Sequence, residues 1–141
     1  ANGLDALADP AESTRNRILD LLKLCRSSYY RSGMGGSNSI KAVLDAIWKA
    51  SPEMRTRFEE VEHKVGDPML GPYAALPPLI IDGREQRVAD GTGAIRAYEA
   101  MVYGVERDDP IACAQWKRLL LDYCRLDTLA MVLIWEHWER L

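Results

Sequence analysis

The sequence predicts a mainly α fold of five to six helices with one small β-hairpin near residues 79–88. Helix-start signals are the first observation behind this. Asp or Ser stands ahead of a proline or an apolar run at Asp9-Pro10, Ser37, Ser51-Pro52 and Asp109-Pro110, where the first helical N–H groups need an acceptor. Apolar residues then recur every three to four positions, the period of a helix with one buried face. The third observation is the pair Asp82-Gly83 between an apolar and a polar run, which marks a two-residue hairpin turn.

In chain order, Asp9 is placed to cap a helix, with Pro10 in its first turn and Glu12 where a capping-box acid belongs. That helix is expected to run through Ile18, Leu21, Leu22 and Cys25 and to end near Tyr30, before Gly33. Ser37 opens a second helix with the stripe Ile40, Val43, Leu44, Ile47 and Trp48. Ser51-Pro52-Glu53 ends it and starts a third, carrying Met54, Phe58 and Val61. Gly66, Pro68, Gly71, Pro72, Pro77 and Pro78 make residues 66–78 a loop. After the hairpin, Thr92 is expected to cap a helix through Ala94, Tyr98, Met101 and Val102, closed by Gly104. Asp109-Pro110 starts the last helical region, reaching almost to Leu141, with a break expected near Arg125.

The 141 residues, 48% hydrophobic and 28% charged, suit one core, so residues 1–141 read as a single helical domain or as a fragment of a larger one. Collagen-like, coiled-coil and disordered compositions are excluded. The sequence has neither an apolar run long enough for a membrane helix nor a secretory signal, and no membrane partner is expected. The start at Ala1 instead of Met suggests a processed or excised piece. Cys25, Cys113 and Cys124 include no close pair, and His63 and His137 are isolated, so neither a disulfide framework nor a zinc site is expected. Reduced thiols and a cytoplasmic location are the expectation.

The net charge of −3 argues against a strongly nucleic-acid-binding surface, but the charge is uneven. Residues 14–41 carry Arg15, Arg17, Lys23, Arg26, Arg31 and Lys41 against Asp20 alone. This stretch holds Tyr29 and Tyr30 and leads into Gly33-Met34-Gly35-Gly36-Ser37. It reads either as a phosphate-binding region, with Arg26 and Arg31 as contacts, or as a solvated helix face and a loop. Ser39 and Lys41, at a helix start after that loop, either grip substrate phosphate or are a helix cap and a solvated lysine. They do not form a P-loop, which needs Gly-Lys-Ser/Thr four residues after a glycine.

In the last helix Tyr123 and Asp127 are four apart and share a face with Leu120, Ala130, Met131, Ile134 and Trp138. A carboxylate on an apolar stripe is costly unless something binds it. Either the helix breaks at Arg125 and Asp127 caps the new start, or Asp127 pairs with an Arg from another helix.

Tyr123-x-x-x-Asp127 also resembles the third motif of the tyrosine-type DEDD 3′–5′ exonucleases, which have a ribonuclease H-like fold. The string Tyr123-Cys124-Arg125-Leu126-Asp127-Thr128-Leu129-Ala130-Met131 is similar to the end of the bacterial domain of unknown function (DUF) 2779 family. Asp20-Leu21-Leu22 with Arg26 and Tyr29-Tyr30 resembles an earlier stretch of that family. Ser37-Asn38-Ser39-Ile40-Lys41-Ala42-Val43-Leu44 resembles its Ser-Ile-Lys-x-Val-Leu block, and Asp90-Gly91-Thr92-Gly93-Ala94 with Tyr98 its Gly-x-x-Ala-x-x-x-Tyr block. The likeness runs in order from about residue 18 to residue 141.

The resemblance implies the C-terminal part of a ribonuclease H-like domain lacking its N-terminal strands, in a metal-dependent nucleic-acid phosphodiesterase. Asp127 matches the last of four carboxylates that hold two divalent ions, Mg or Mn, and Tyr123 the residue that orients the attacking water. The first motif, Asp-x-Glu, is absent: none of the 11 Asp residues has a Glu two places later. The chain alone is therefore expected to be inactive, with no tightly bound metal, and Asp127 to lack a stabilising partner within it. Nucleic acid is the expected partner, and a homodimer is expected if an apolar face is left uncovered. The alternative is a non-catalytic helical module that binds a protein or nucleic acid. Four Trp residues, three after residue 115, favour that alternative because Trp suits interfaces.

Overall fold

The structure, a computed structural model, describes residues 12–61, 67 and 70–141. The expected helix start at Asp9-Pro10 lies outside these residues. The chain divides into two compact units, residues 1–30 and 31–141, taken in turn.

In the first unit residues 12–15 are helical, and α1 spans Leu21–Ser28. The continuous helix expected through Ile18 is thus interrupted. Asp20 is the reason. Its carboxylate accepts from the N–H groups of Leu22 and Lys23, at 3.0 and 3.1 Å, and starts a new helix. Of the expected stripe only Cys25 is buried, while Ile18 and Leu22 are exposed.

The second unit begins with a 3-10 turn, Ser32–Met34, followed by α2, Ile40–Ala50. Ser39, rather than Ser37, is the N-cap: its Oγ accepts from Ala42 N at 3.3 Å. Ser37 Oγ sits one step back and accepts from Ser39 N. The α2 stripe is the centre of the core, with Val43, Leu44, Ile47 and Trp48 all buried. Helix α3, Pro52–Val61, adds Met54 and Phe58, and Phe58 meets Trp48 edge to face at 5.2 Å.

Strands β1, Leu79–Ile81, and β2, Arg84–Gln86, pair antiparallel in the expected hairpin. Asp82 and Gly83 both have positive φ, 48° and 70°, as a type I′ turn requires. Helix α4, Gly91–Tyr103, is capped by Asp90, not Thr92, through Gly93 N at 2.6 Å. Ala97 is its buried residue, with Ala94 and Met101 half-buried beside it. Tyr98 and Val102 are exposed.

Helix α5 runs unbroken over 29 residues, Pro110–Trp138, capped by Asp109 with Pro110 in the first turn. The break expected near Arg125 is absent, and with it the N-cap reading of Asp127. Leu119, Tyr123, Leu126, Ala130, Leu133 and Ile134 form its buried face, which packs on α2, α4 and β1. Of the four Trp residues, Trp48 and Trp116 are buried core residues, while Trp135 is exposed. Among the described residues no helix is long and apolar enough to cross a membrane.

Candidate functional site

The loop 70–78 and helix α5 meet at Asp127. Gly71 opens the approach: a Cβ there would meet the Asp45 carboxylate on α2, so a larger residue would require the Asp45 side chain to move aside. Pro72 follows, and the turn closes with Ala75 N donating to Gly71 O at 3.1 Å. Arg87, just past the hairpin, donates to Ala74 O at 3.3 Å and ties the loop from the other side. Tyr73, at the centre of this turn, is only 8% exposed.

The Tyr73 hydroxyl donates to Asp127 Oδ1 at 2.5 Å. This bond answers the question posed by a carboxylate on the buried face of α5. The partner is neither an N-terminal N–H group nor an Arg, but a phenol from a loop. The expectation that Asp127 lacks a stabilising partner within this chain is corrected accordingly. Tyr123, also 8% exposed, lies one turn before Asp127, and its ring tilts against that of Tyr73 with centroids 6.3 Å apart.

Lys41, in the first turn of α2, completes the cluster. Its Nζ lies 5.4 Å from the Tyr73 ring centroid and 5.6 Å from that of Tyr123, within cation–π range of both. Burial, the bond to Asp127 and that carboxylate's charge hold the Tyr73 phenol well above its ordinary value, with Tyr123 adding a smaller push. The Tyr123 phenol is pushed up to about 12 by burial first, then by hydrogen bonding to Asp127 and its charge, with Cys124 and Asp90 adding to it. Both phenols therefore remain protonated donors beside the carboxylate at neutral pH.

Two members of the cluster, Lys41 and Tyr73, line an open groove of about 540 Å³, together with Ser39, Asp45 and Lys49 of α2 and its cap and the other loop residues of 70–74. Lys49 pairs with Asp45 at 2.7 Å. Lys49 also lines a second, smaller depression of about 290 Å³, together with Arg31. Arg31 is partly engaged: its Nη2 lies 3.4 Å from His137 Nε2. Arg26 is exposed on the last turn of α1, in the first unit.

Of the residues singled out from sequence, Lys41, Tyr123 and Asp127 come together, and Ser39 lies on the same groove while also capping α2. Tyr73 was missed. Its one signal was position, the single aromatic residue of the 66–78 loop, directly after Gly71-Pro72.

Among the described residues no group of three or more His, Cys, Asp or Glu stands close enough to hold a metal ion. A divalent ion of the Mg²⁺ type wants several oxygen ligands. Asp127, with Oδ1 already accepting from Tyr73, does not supply that set, so the residues described do not fit a resident metal centre.

Comparison with known proteins returned no matching family model, and neither a curated protein nor a solved structure significantly similar to the chain.

Proposed function

We propose that this chain forms the tyrosine–aspartate wall of a nucleic-acid phosphodiesterase site resembling the 3′–5′ exonucleases, and that it binds a polynucleotide strand through Lys41. On this reading the protein is metal-dependent, using Mg or Mn, and cytoplasmic. Its remaining carboxylates are supplied from outside the described residues, and the present chain alone does not cleave. The observation that supports it is the convergence of two separate motifs. Lys41, from the Ser-Ile-Lys block, lies over the ring of Tyr123 from the Tyr-x-x-x-Asp motif, at the edge of an open groove. A compact ammonium there is suited to a phosphate, and by the resemblance Asp127 would be the last of the metal-holding carboxylates and Tyr123 the residue that orients the attacking water.

Fluorescence anisotropy of a labelled single-stranded oligonucleotide against the purified chain tests this. Binding should weaken with salt, and Lys41→Ala should lower the salt slope by about one, the amount expected for one lost phosphate contact. Binding that is absent, or indifferent to Lys41, rejects the proposal.

A second reading, the helical binding module, is favoured by one patch. Ile95, Tyr98 and Val102 follow helical spacing on the outer face of α4 and are 60%, 53% and 39% exposed. A homodimer through such a face would appear in light scattering as a concentration-dependent doubling of mass, and a monomer at all concentrations removes it.

A further inference from the structure

We infer that Tyr73 is a positioning residue that keeps two opposite charges apart and available: its hydroxyl holds the Asp127 carboxylate in one orientation while its ring seats the Lys41 ammonium. The inference rests on the proposed reading of Asp127 and Lys41 as site groups.

Tyr73 belongs to neither of the motifs that supply those two residues. It arrives on a turn closed by the Ala75–Gly71 hydrogen bond and bonded to Arg87 at Ala74 O, and its side chain is buried there. An aspartate in mid-helix has two side-chain torsions to fix, and a short hydrogen bond from a buried phenol restrains both. Lys41 is long and flexible, and a carboxylate is its natural partner. Even so, among the described residues no ion pair joins Lys41 to Asp127. The ammonium rests on the ring faces of Tyr73 and Tyr123 instead. Tyr73 thus contacts both charges and acts as a spacer. Without its ring the two would close on each other, and the cation facing the groove would be neutralised.

Two measurements on the chain test this. The first is the ultraviolet titration of the phenols, which needs no nucleic acid. Asp127→Asn should lower the two late-ionising tyrosines by about one pH unit or more, the size expected when a neighbouring carboxylate is removed. Tyr73→Phe should delete one of them while the chain still melts cooperatively. Late phenols unchanged by Asp127→Asn overturn the inference. The second is oligonucleotide affinity, measured below the melting temperature of each variant. Tyr73→Phe keeps the seat and should bind within about twofold of the unaltered chain. Tyr73→Leu removes it and should bind about threefold to tenfold more weakly. Adding Asp127→Asn to Tyr73→Leu should recover more affinity than Asp127→Asn gains alone, because Lys41 is then released. Equal affinities for the Phe and Leu variants overturn the spacer role. If the unaltered chain binds no oligonucleotide, the proposed function fails on its own account, and the phenol titration alone decides the role of Tyr73.

Discussion

The hydroxyl of Tyr73 donates to Asp127 Oδ1 across 54 positions of sequence, joining a proline- and glycine-bound loop to the middle of the longest helix. Truncating the acceptor should therefore cost stability. Asp127→Leu leaves a mostly buried phenol O–H unpaired, and its loss should be about 1 to 3 kcal/mol. Asp127→Asn retains an acceptor and should cost less, about 1 kcal/mol, because the bond loses its charge assistance. Chemical denaturation of the three proteins checks the order. A Leu variant as stable as the unaltered chain would show that the bond contributes nothing. Because Asp127 accepts this bond, a loss of stability in Asp127→Asn reports the hydrogen bond and leaves its role in the proposed site to the binding and cleavage measurements.

The same contact sets the alkaline limit. Both phenols have higher proton affinity in the folded chain than the ordinary value of 10.0, and Tyr123 rises to about 12. A raised folded value means the unfolded chain ionises first. The stabilisation is fully present below pH 10 and is lost as pH rises towards 12. Denaturant midpoints should fall steeply over that window, and less steeply in Asp127→Asn. Equal slopes for the two proteins would show that Asp127 does not act on the phenols.

The helical parts of the fold were legible because caps and apolar spacing are local. Asp109-Pro110, the α2 stripe and the Asp82-Gly83 turn each carry their signal within a few residues. The failures arose where two local signals compete. Asp20, inside an apparently helical run, caps a new helix instead, and Asp90 caps ahead of Thr92. For the site, spacing alone put Tyr123 and Asp127 on one face, but no local pattern tells a helical carboxylate that its partner is a loop phenol. The bond between Tyr73 and Asp127 depends on how the 70–78 loop lies against α2, with Gly71 beside Asp45 and Arg87 bonded to Ala74 O, and such a placement has no period in sequence.

Gly83→Ala tests the hairpin that follows this loop. With φ at 70°, an added Cβ crowds the backbone, and the cost should be about 1 to 2 kcal/mol. Asp82→Asn should be neutral or slightly stabilising, since Asn-Gly suits a type I′ turn at least as well. Thermal melts distinguish the two, and equal effects would mean that the turn relaxes to another type.

If the other carboxylates of the proposed site are supplied by another part of a longer protein, the purified chain should leave a labelled oligonucleotide intact in Mg²⁺ or Mn²⁺. One carboxylate does not hold the metal pair of such enzymes. Metal-dependent cleavage that is abolished by Asp127→Asn would refute that division of ligands and place a complete site within this chain.

The contact between Arg31 and His137 should make stability depend on mildly acidic pH. His137 Nε2 lies 3.4 Å from Arg31 Nη2, so the neutral ring accepts from the guanidinium. Burial, then Arg31 and Arg140, lower the proton affinity of His137 below the usual value of 6.5. A lowered folded value means that the unfolded chain takes up the proton first. The stabilisation is present above pH 6.5 and is lost as pH falls through the folded value. His137→Gln keeps a carbonyl acceptor for Arg31 and cannot be protonated. Its denaturant midpoint should therefore stay level as pH falls below 6.5 over the range where that of the unaltered chain declines. NMR of the His137 ring should show titration below 6.5, shifting upward in Arg31→Gln as one of the two cations is removed. A ring that titrates at the same pH in both proteins would place Arg31 out of electrical contact with His137, and the acid-side loss of stability would then have to come from another group.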